Sequence, residues 1–204
     1  MLNVNKIAFI GSGAMGEAMI KGLLAQKLLT PDQIIASDPV PARRELAHAT
    51  YGIQTTDDNR VAVRDAQVVL LCVKPQAFGS VAAYLRGQVA PDALIISIMA
   101  GVTFQTLQQG LEHARIVRSM PNTPAQLNMG ATVWIAAPEV SEEQRRHTEI
   151  ILGALGEQIR AEKEDFIDMQ TGLGGSGPGF VLLIVEAMID AGVQMGFSRA
   201  DAQT

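Results

Sequence analysis

Short apolar runs alternate with amphipathic stretches along the first three quarters of the chain. Each run of four to six apolar residues is typical of a strand buried on both faces of a parallel sheet. The stretches between them repeat apolar residues at helical spacing. This alternation predicts right-handed βαβ units in a doubly wound, Rossmann-type α/β sheet. The predicted strands are Lys6–Ile10, Gln33–Ser37, Val68–Val73, Leu94–Ile98, Ile116–Ser119 and Thr132–Ala136, and the predicted helices are Ala14–Gln26, Pro41–Tyr51 and Ser141–Leu155.

The pattern changes after about residue 165. Five glycines, at positions 172, 174, 175, 177 and 179, precede a predicted helix, Phe180–Gly196, that is apolar on nearly every face. Ser176 and Pro178 fit the N-cap and first turn of that helix. A helix of this kind must be buried in a domain or in a subunit interface. We therefore expect a dinucleotide-binding domain over residues 1–165, followed over 166–204 by the start of an all-helical dimerisation domain. The chain is then C-terminally truncated, or a partner subunit covers the helix.

Composition narrows the class of protein. The 204 residues are 48% hydrophobic and 18% charged, with a net charge of −5, which argues against disorder and against nucleic-acid binding. One cysteine and three scattered histidines predict neither a disulfide nor a metal site. The apolar stretches Ala93–Val102 and Phe180–Val185 are too short to span a bilayer, and the first residues lack a signal-peptide pattern. We expect a cytoplasmic protein without a membrane partner.

The glycine-rich segment Gly11-Ser12-Gly13-Ala14-Met15-Gly16 carries the clearest chemistry. It follows the first predicted strand and opens the first predicted helix, which is the context that the G-x-G-x-x-G fingerprint requires. Gly11 permits the tight turn, Gly13 leaves room for a pyrophosphate, and Gly16 permits close helix–strand packing. Free N–H groups at the helix start then bind the phosphates. The alternative is a plain glycine turn without a ligand.

Asp38 lies 22 residues after Gly16, at the end of the second predicted strand. An acidic side chain there accepts hydrogen bonds from the adenosine ribose, which favours NAD over NADP. Arg43 and Arg44 follow within two helical turns and could instead contact a 2′-phosphate, although a solvated first turn of the second helix explains them slightly better. Asp38 could also be a turn residue before Pro39.

Three further strand ends are predicted to meet at the cofactor crevice. Cys72-Val73-Lys74-Pro75 places a lysine there, and we interpret Cys72 as a small buried hydrophobe rather than a nucleophile. Met99-Ala100-Gly101 offers small residues that suit a flat ring. Ser119–Pro124 forms a rigid loop that could present Asn122 and Thr123 to a substrate, or a tight turn without a ligand. No hydrolytic triad or G-x-S-x-G is present. A cofactor cradle with few acid–base groups fits hydride transfer.

Together these motifs resemble the pyrroline-5-carboxylate reductase family. The resemblance runs from Lys6 to the end of the chain, and its most specific parts are Met120-Pro121-Asn122-Thr123-Pro124 and the glycine-rich Gly172–Pro178. It implies reduction of 1-pyrroline-5-carboxylate to L-proline by NADPH or NADH, in a homodimer or higher homo-oligomer. The alternatives are another imine, keto-acid or β-hydroxyacid reductase on the same fold, or a non-catalytic NAD(P) sensor.

The resemblance also assigns site residues. It places the pyrophosphate against Ile10 to Met15 and the adenosine ribose near Asp38 and Asn59. Catalytic residues are not identified by it, and the nearest candidates are Asn122, Thr123 and Lys74. The implied cofactor-binding residues are Ile10, Gly11, Ser12, Gly13, Ala14, Met15, Asp38, Asn59, Cys72, Val73, Lys74, Pro75, Ile98, Met99 and Ala100.

The sequence departs from the family pattern in three places. Gly174 replaces a serine in the Ser-Gly-Ser-Gly-Pro motif, and Gly179-Phe180 stands where Ala-Tyr is usual. The third departure is the later Ser-Pro-Gly-Gly-Thr loop, which does not occur in this sequence. In the family that loop holds the substrate carboxylate. These departures put part of the substrate site in doubt.

Overall fold

A single eight-stranded sheet organises the chain, for which the computed structural model describes residues 2–204. The strand order is β3-β2-β1-β4-β5-β6-β7-β8. All neighbouring strands are parallel except β6 and β7, which run antiparallel. The predicted Rossmann-type sheet is therefore confirmed. The strands are β1 (Ile7–Ile10), β2 (Ile34–Ser37), β3 (Gln54–Thr56), β4 (Val68–Leu71), β5 (Leu94–Ser97), β6 (Ile116–Met120), β7 (Gly130–Ala136) and β8 (Gly156–Arg160).

The sheet separates two apolar layers, as continuous apolar runs predict. Every residue of β1, β4 and β5 is buried, so alternate side chains fill opposite layers. Phe9 and Leu70 point into one layer, and Ala8 and Val69 point into the other. Two-sided burial fixes the parallel register, in which Ile7 lies between Ile34 and Val68.

Helices cover both faces of the sheet. The helix predicted at Pro41–Tyr51 has those bounds, and Ser141 caps its helix through the predicted capping box with Gln144. Sequence analysis missed β3 and β8, whose exposed polar residues show no apolar pattern, and several short helices. The helices are α1 (Ala14–Ala25), α2 (Pro41–Tyr51), α3 (Asn59–Val63), α4 (Phe78–Leu85), α5 (Phe104–Leu111), α6 (Glu142–Gly153), α7 (Asp165–Gln170), α8 (Gly177–Gln194) and α9 (Arg199–Gln203).

The glycine-rich segment is helical, and the expected N-cap at Ser176 is wrong. Thr171–Gly175 forms a π-helical turn that joins α7 to α8 in one run. Ser176 keeps helical dihedrals, and its hydroxyl donates to the carbonyl O of Thr171 instead of capping the next turn. The wider π turn lets the run continue through residues that have weak helix propensity.

Helix α8 contains no buried residue. Leu183 and Met188 are about 70% exposed, at 71% and 69%. The helical run Asp165–Gln194 spans 30 residues and contains an 18-residue window with a mean hydropathy of 1.5, so by length and composition alone it could cross a membrane. Sequence analysis considered uninterrupted apolar stretches only, and those stretches are shorter than this helical run. The apolar face needs a cover, as sequence analysis predicted.

Candidate active site

The β1–α1 turn is built by two glycines that have no room for a side chain. Gly11 has a φ of +97°, and a β-carbon on it would lie 2.8 Å from the carbonyl O of Cys72. A β-carbon on Gly16 would lie 2.5 Å from the carbonyl O of Gly11. Both contacts involve main-chain atoms, which cannot rotate away. Gly11 and Gly16 are therefore required by packing alone.

Gly13 differs, because open space lies beside it. No heavy atom comes within 4 Å of the position where its β-carbon would stand, and its dihedrals are ordinary extended ones. Gly13 is the N-cap of α1 and supplies no side chain to the first-turn N–H groups. Free N–H groups at the start of a 12-residue helix, facing open space, fit the pyrophosphate of a dinucleotide.

Asp38 lies beside this turn, at the end of β2, and its carboxylate is engaged within the protein. Oδ2 accepts hydrogen bonds from the main-chain N and the Oγ of Ser12, at 3.0 and 3.2 Å. Oδ1 accepts from the main-chain N of Val40 at 2.9 Å. The residue is 2% exposed. Asp38 thus ties the glycine turn to the β2–α2 loop, a role that sequence analysis did not foresee.

Two arginines flank that carboxylate. Arg44 donates through Nη1 to the carbonyl O of Asp38 at 2.7 Å, and Nη1 of Arg43 lies 3.5 Å from Oδ2. Arg43 is exposed and lines a cavity of about 230 Å³ between α1 and α2. On the other side, Asn59 begins α3 and accepts from the hydroxyl of Ser37 at 2.7 Å. Polar groups therefore surround the end of β2, where a ribose is expected.

The ends of β4 and β5 adjoin the turn. The main-chain N of Cys72 donates to the carbonyl O of Ile10 at 2.8 Å, and the N of Ile98 donates to the O of Leu71 at 3.3 Å. Burial raises the pKa of the Cys72 thiol to about 12, so it is protonated at neutral pH and no nucleophile. Lys74 is exposed just before a 3₁₀ turn at Pro75–Ala77. Buried Met99 is followed by half-buried Ala100.

The loop after β6 presents less to solvent than sequence analysis expected. The amide of Asn122 is engaged twice: Nδ2 donates to the carbonyl O of Gly174 at 3.2 Å, and Oδ1 accepts from the main-chain N of Ala131 at 2.9 Å. Thr123 is exposed at the start of a 3₁₀ turn, Thr123–Leu127. Of the two residues assigned to the substrate, Thr123 is exposed and Asn122 is half-buried.

One residue of interest was missed. Arg118, in the middle of β6, is 1% exposed and contacts Glu164 and Asp168. An arginine within the apolar run Ile116–Met120 was the available signal, since a buried charge needs partners. Among residues 2–204, no group of three or more histidine, cysteine, aspartate or glutamate side chains could hold a metal ion.

The site lies where ligands bind in open α/β sheets. The segments after β1, β2, β4, β5 and β6 share the carboxyl edge, and the strand order reverses between β1 and β4. The fold and the glycine turn together define a dinucleotide-binding protein of the Rossmann class.

Comparisons with known proteins identify the family. Residues 6–101 match the family model "NADP oxidoreductase coenzyme F420-dependent", and residues 164–204 match "Pyrroline-5-carboxylate reductase dimerisation". The pyrroline-5-carboxylate reductase of a Synechocystis species is 40% identical over 97% of this chain, and the match covers 73% of its own length. The pyrroline-5-carboxylate reductase of Pseudomonas aeruginosa is also 40% identical, over 98% of this chain and 74% of its own length. The chain belongs to the pyrroline-5-carboxylate reductase family.

Solved structures agree in fold. The pyrroline-5-carboxylate reductase of Coxiella burnetii superposes with a TM-score of 0.91 at 35% identity, over 98% of this chain and 75% of its own. The pyrroline carboxylate reductase of Plasmodium falciparum, solved with NADP bound, gives a TM-score of 0.87 at 27% identity, over 100% and 74%.

The space beside Gly13 gives the first testable prediction. In Gly13→Val, the extended backbone accepts the new side chain, so the fold should survive while the branched side chain fills the space. We expect NADPH and NADH affinity to fall at least about a hundredfold, ~2.7 kcal/mol, measured by fluorescence titration. Gly153→Val, also with open space at a helix end, is the control. Unchanged binding by Gly13→Val would contradict the assignment.

The position of Asp38 gives the second. Asp38→Ser removes a carboxylate that disfavours a 2′-phosphate and releases Arg43. We expect wild type to use NADH at least as well as NADPH, and the variant to shift the ratio of kcat/KM values toward NADPH by about tenfold, ~1.4 kcal/mol. Asp57→Ser, which removes an exposed carboxylate near Arg44, is the control. A wild type that strongly prefers NADPH, with no change in the variant, would show that Asp38 does not face the ribose.

Proposed function

We propose that this chain reduces 1-pyrroline-5-carboxylate to L-proline with NADPH or NADH, and so acts in proline biosynthesis. The observation that carries the proposal is the 40% identity to pyrroline-5-carboxylate reductases along nearly the whole chain, together with a phosphate cradle at the correct edge of the sheet. When bound, the reduced nicotinamide supplies a hydride to the imine carbon. The residues of the chain bind and orient the reactants.

We assign the cofactor-binding residues from the turn outward. Ile10 to Met15 hold the pyrophosphate, with the space beside Gly13 in support. Asp38 and Asn59 face the adenosine ribose. The segments 72–75 and 98–100 line the nicotinamide, and their place next to the turn at the ends of β4 and β5 supports this.

The substrate end is assigned to the β6 loop and Lys74. Thr123 and Lys74 are exposed at the carboxyl edge of the sheet, where a carboxylate substrate would lie beside the nicotinamide. A lysine ammonium there would attract that carboxylate. The amide of Asn122 is engaged inside the protein, so we give it no contact with the reacting atoms.

We propose two functional parts, residues 1–165 for the dinucleotide and 166–204 for dimerisation. The start of α7 at Asp165 and the dimerisation match from residue 164 support this division. The exposed apolar face of α8 supports a homodimer or higher homo-oligomer, because a patch of this size is typical of an interface. A cytoplasmic location is part of the same proposal.

The activity is tested by the loss of NAD(P)H absorbance on addition of 1-pyrroline-5-carboxylate. We expect turnover with the pyrroline and far less with cyclic imines lacking the carboxylate, α-keto acids or β-hydroxyacids. Gly13→Val should be inactive at the same cofactor concentration. Preferred turnover of a keto acid or β-hydroxyacid would assign another reductase activity. Binding of NAD(P)H without turnover of any substrate would indicate a sensor.

The oligomer is tested on helix α8. Leu183→Glu and Met188→Glu each place a charge on the exposed apolar face, and burying such a side chain contributes about 1.5–3 kcal/mol. We expect the dimer dissociation constant to rise at least about tenfold, ~1.4 kcal/mol, by size-exclusion chromatography with light scattering. Leu46→Glu, exposed on α2, is the control. A wild-type monomer would contradict the proposal.

A further inference from the structure

Two polar side chains near the end of β6 attach the helical run to the sheet: Arg118 in the strand and Asn122 in the loop that follows it. Arg118 of β6 donates to Oε1 of Glu164 at 2.5 Å and to Oδ1 of Asp168 at 3.2 Å. Four residues further on, Asn122 donates to the carbonyl O of Gly174 at 3.2 Å. One contact holds the beginning of the run, and the other holds its π-helical turn.

The ion pair is poorly explained as a stabilising interaction. Arg118 is 1% exposed, and its Nε has no hydrogen-bond partner within residues 2–204. A buried charge that is only partly satisfied contributes little net stability, and an apolar residue of similar size is often as stable. These ion pairs do, however, fix the direction of the helical run relative to β6. Glu164 and Asp168 stand one helical turn apart, and the planar guanidinium contacts both.

One of these carboxylates, Glu164, and the asparagine also contact neighbouring elements. Glu164 Oε1 also accepts from the main-chain N of Phe104, the first residue of α5, at 2.7 Å. Asn122 Oδ1 accepts from the N of Ala131 on β7, and Gln170 donates to the O of Ala131 at 3.3 Å. The π turn is packed too: a β-carbon on Gly175 would lie 3.2 Å from Cε of Met120. These contacts fasten the run to β6, β7 and α5.

Helix α8 extends from this attachment with no buried residue of its own. Its 18 residues measure about 27 Å at 1.5 Å per residue. A tilt of about 5° at the π turn would therefore move its far end by about 2 Å. Misplacement of a catalytic element by 1 Å can lower a rate about a hundredfold. The direction set at β6 thus governs where any group carried by the helical part comes to lie.

We propose that Arg118 and Asn122 are positioning residues for the reductase, and that they set the direction of α8 relative to the nicotinamide end of the site. The expected effect of these residues on turnover rests on the proposed function. Their effect on the direction of α8 does not depend on it. Neither side chain is assigned to the substrate: Arg118 is buried in the sheet, and both polar atoms of the Asn122 amide are engaged.

The experiment compares three variants, two of which have matched controls. Asp168→Ala removes one contact of Arg118 from an exposed position, and Asp165→Ala removes an exposed carboxylate from the same helix as its control. Asn122→Asp removes the N–H donor to Gly174, and Gln126→Glu adds the same charge in the neighbouring 3₁₀ turn. Arg118→Met tests the buried partner. Hydrogen–deuterium exchange over residues 164–176, without substrate or cofactor, reports the attachment directly.

In Asp168→Ala, Asn122→Asp and Arg118→Met, we expect faster exchange over 171–176 and a fall in kcat of about tenfold. The dissociation constant of NAD(P)H should stay within about twofold, and the controls should behave as wild type. Lost turnover with wild-type exchange in Asn122→Asp would overturn the proposal for Asn122, since it would indicate direct substrate contact. Wild-type exchange and kcat in all three variants would overturn it entirely. If the wild-type protein does not reduce the pyrroline, the proposed function is contradicted. The exchange measurement then still tests whether Arg118 and Asn122 hold the helical run.

Discussion

The main chain of the β1–α1 turn lies directly against the main chain that follows β4, and the candidate site depends on this approach. Gly11 and Gly16 permit it, since a β-carbon on either would collide with a carbonyl oxygen. The close approach places the first turn of α1 next to the open space beside Gly13. It also brings the end of β4 next to the turn. In the site proposed above, the two halves of a dinucleotide would then contact adjacent strands, and one steric constraint would underlie both the phosphate contact and the neighbouring ring contact.

The second constraint is the attachment of the helical run Asp165–Gln194 to the end of β6. Beyond β5 the sheet turns antiparallel at β7, and the strand end at β6 holds the helical run through Arg118 and Asn122. The cradle is rigid because its contacts are main chain against main chain. The helical run is held mainly by side chains and one buried apolar residue of α7, Ile167. The proposed dimer contact on this helix therefore lies on a part of the chain that is attached separately from the proposed dinucleotide site.

Local sequence patterns predicted the elements that are defined by burial. They missed the elements and side chains whose structure depends on residues far away in the sequence. The strands β1, β4 and β5 were predicted within one or two residues because each is buried on both faces, and Pro41–Tyr51 was predicted because its first-turn proline and following glycine mark the ends. Strands β3 and β8 are polar and exist only through pairing with β2 and β7. The Ser176 N-cap was wrong because the π turn keeps the helix unbroken. Likewise, the engagement of Asn122 depends on Gly174, 52 residues away, which no local pattern reveals.

The hydrogen bonds that Asp38 accepts link the choice of cofactor to the structure of the glycine turn. Its oxygens already accept from Ser12 N, Ser12 Oγ and Val40 N, and Arg43 stands near Oδ2. A carboxylate has about four acceptor positions, so little capacity is left for two ribose hydroxyls unless the Ser12 hydroxyl or Arg43 yields its place. Both of these donors are side-chain groups, whereas the N–H groups of Ser12 and Val40 belong to the backbone of the glycine turn and of the β2–α2 loop. Dinucleotide binding should therefore exchange the side-chain donors and keep the backbone ones. If Asp38 faces the ribose as proposed, its carboxylate binds the turn in the free protein and both the turn and the ribose in the complex, so a substitution that alters cofactor choice at this position should also loosen the glycine turn.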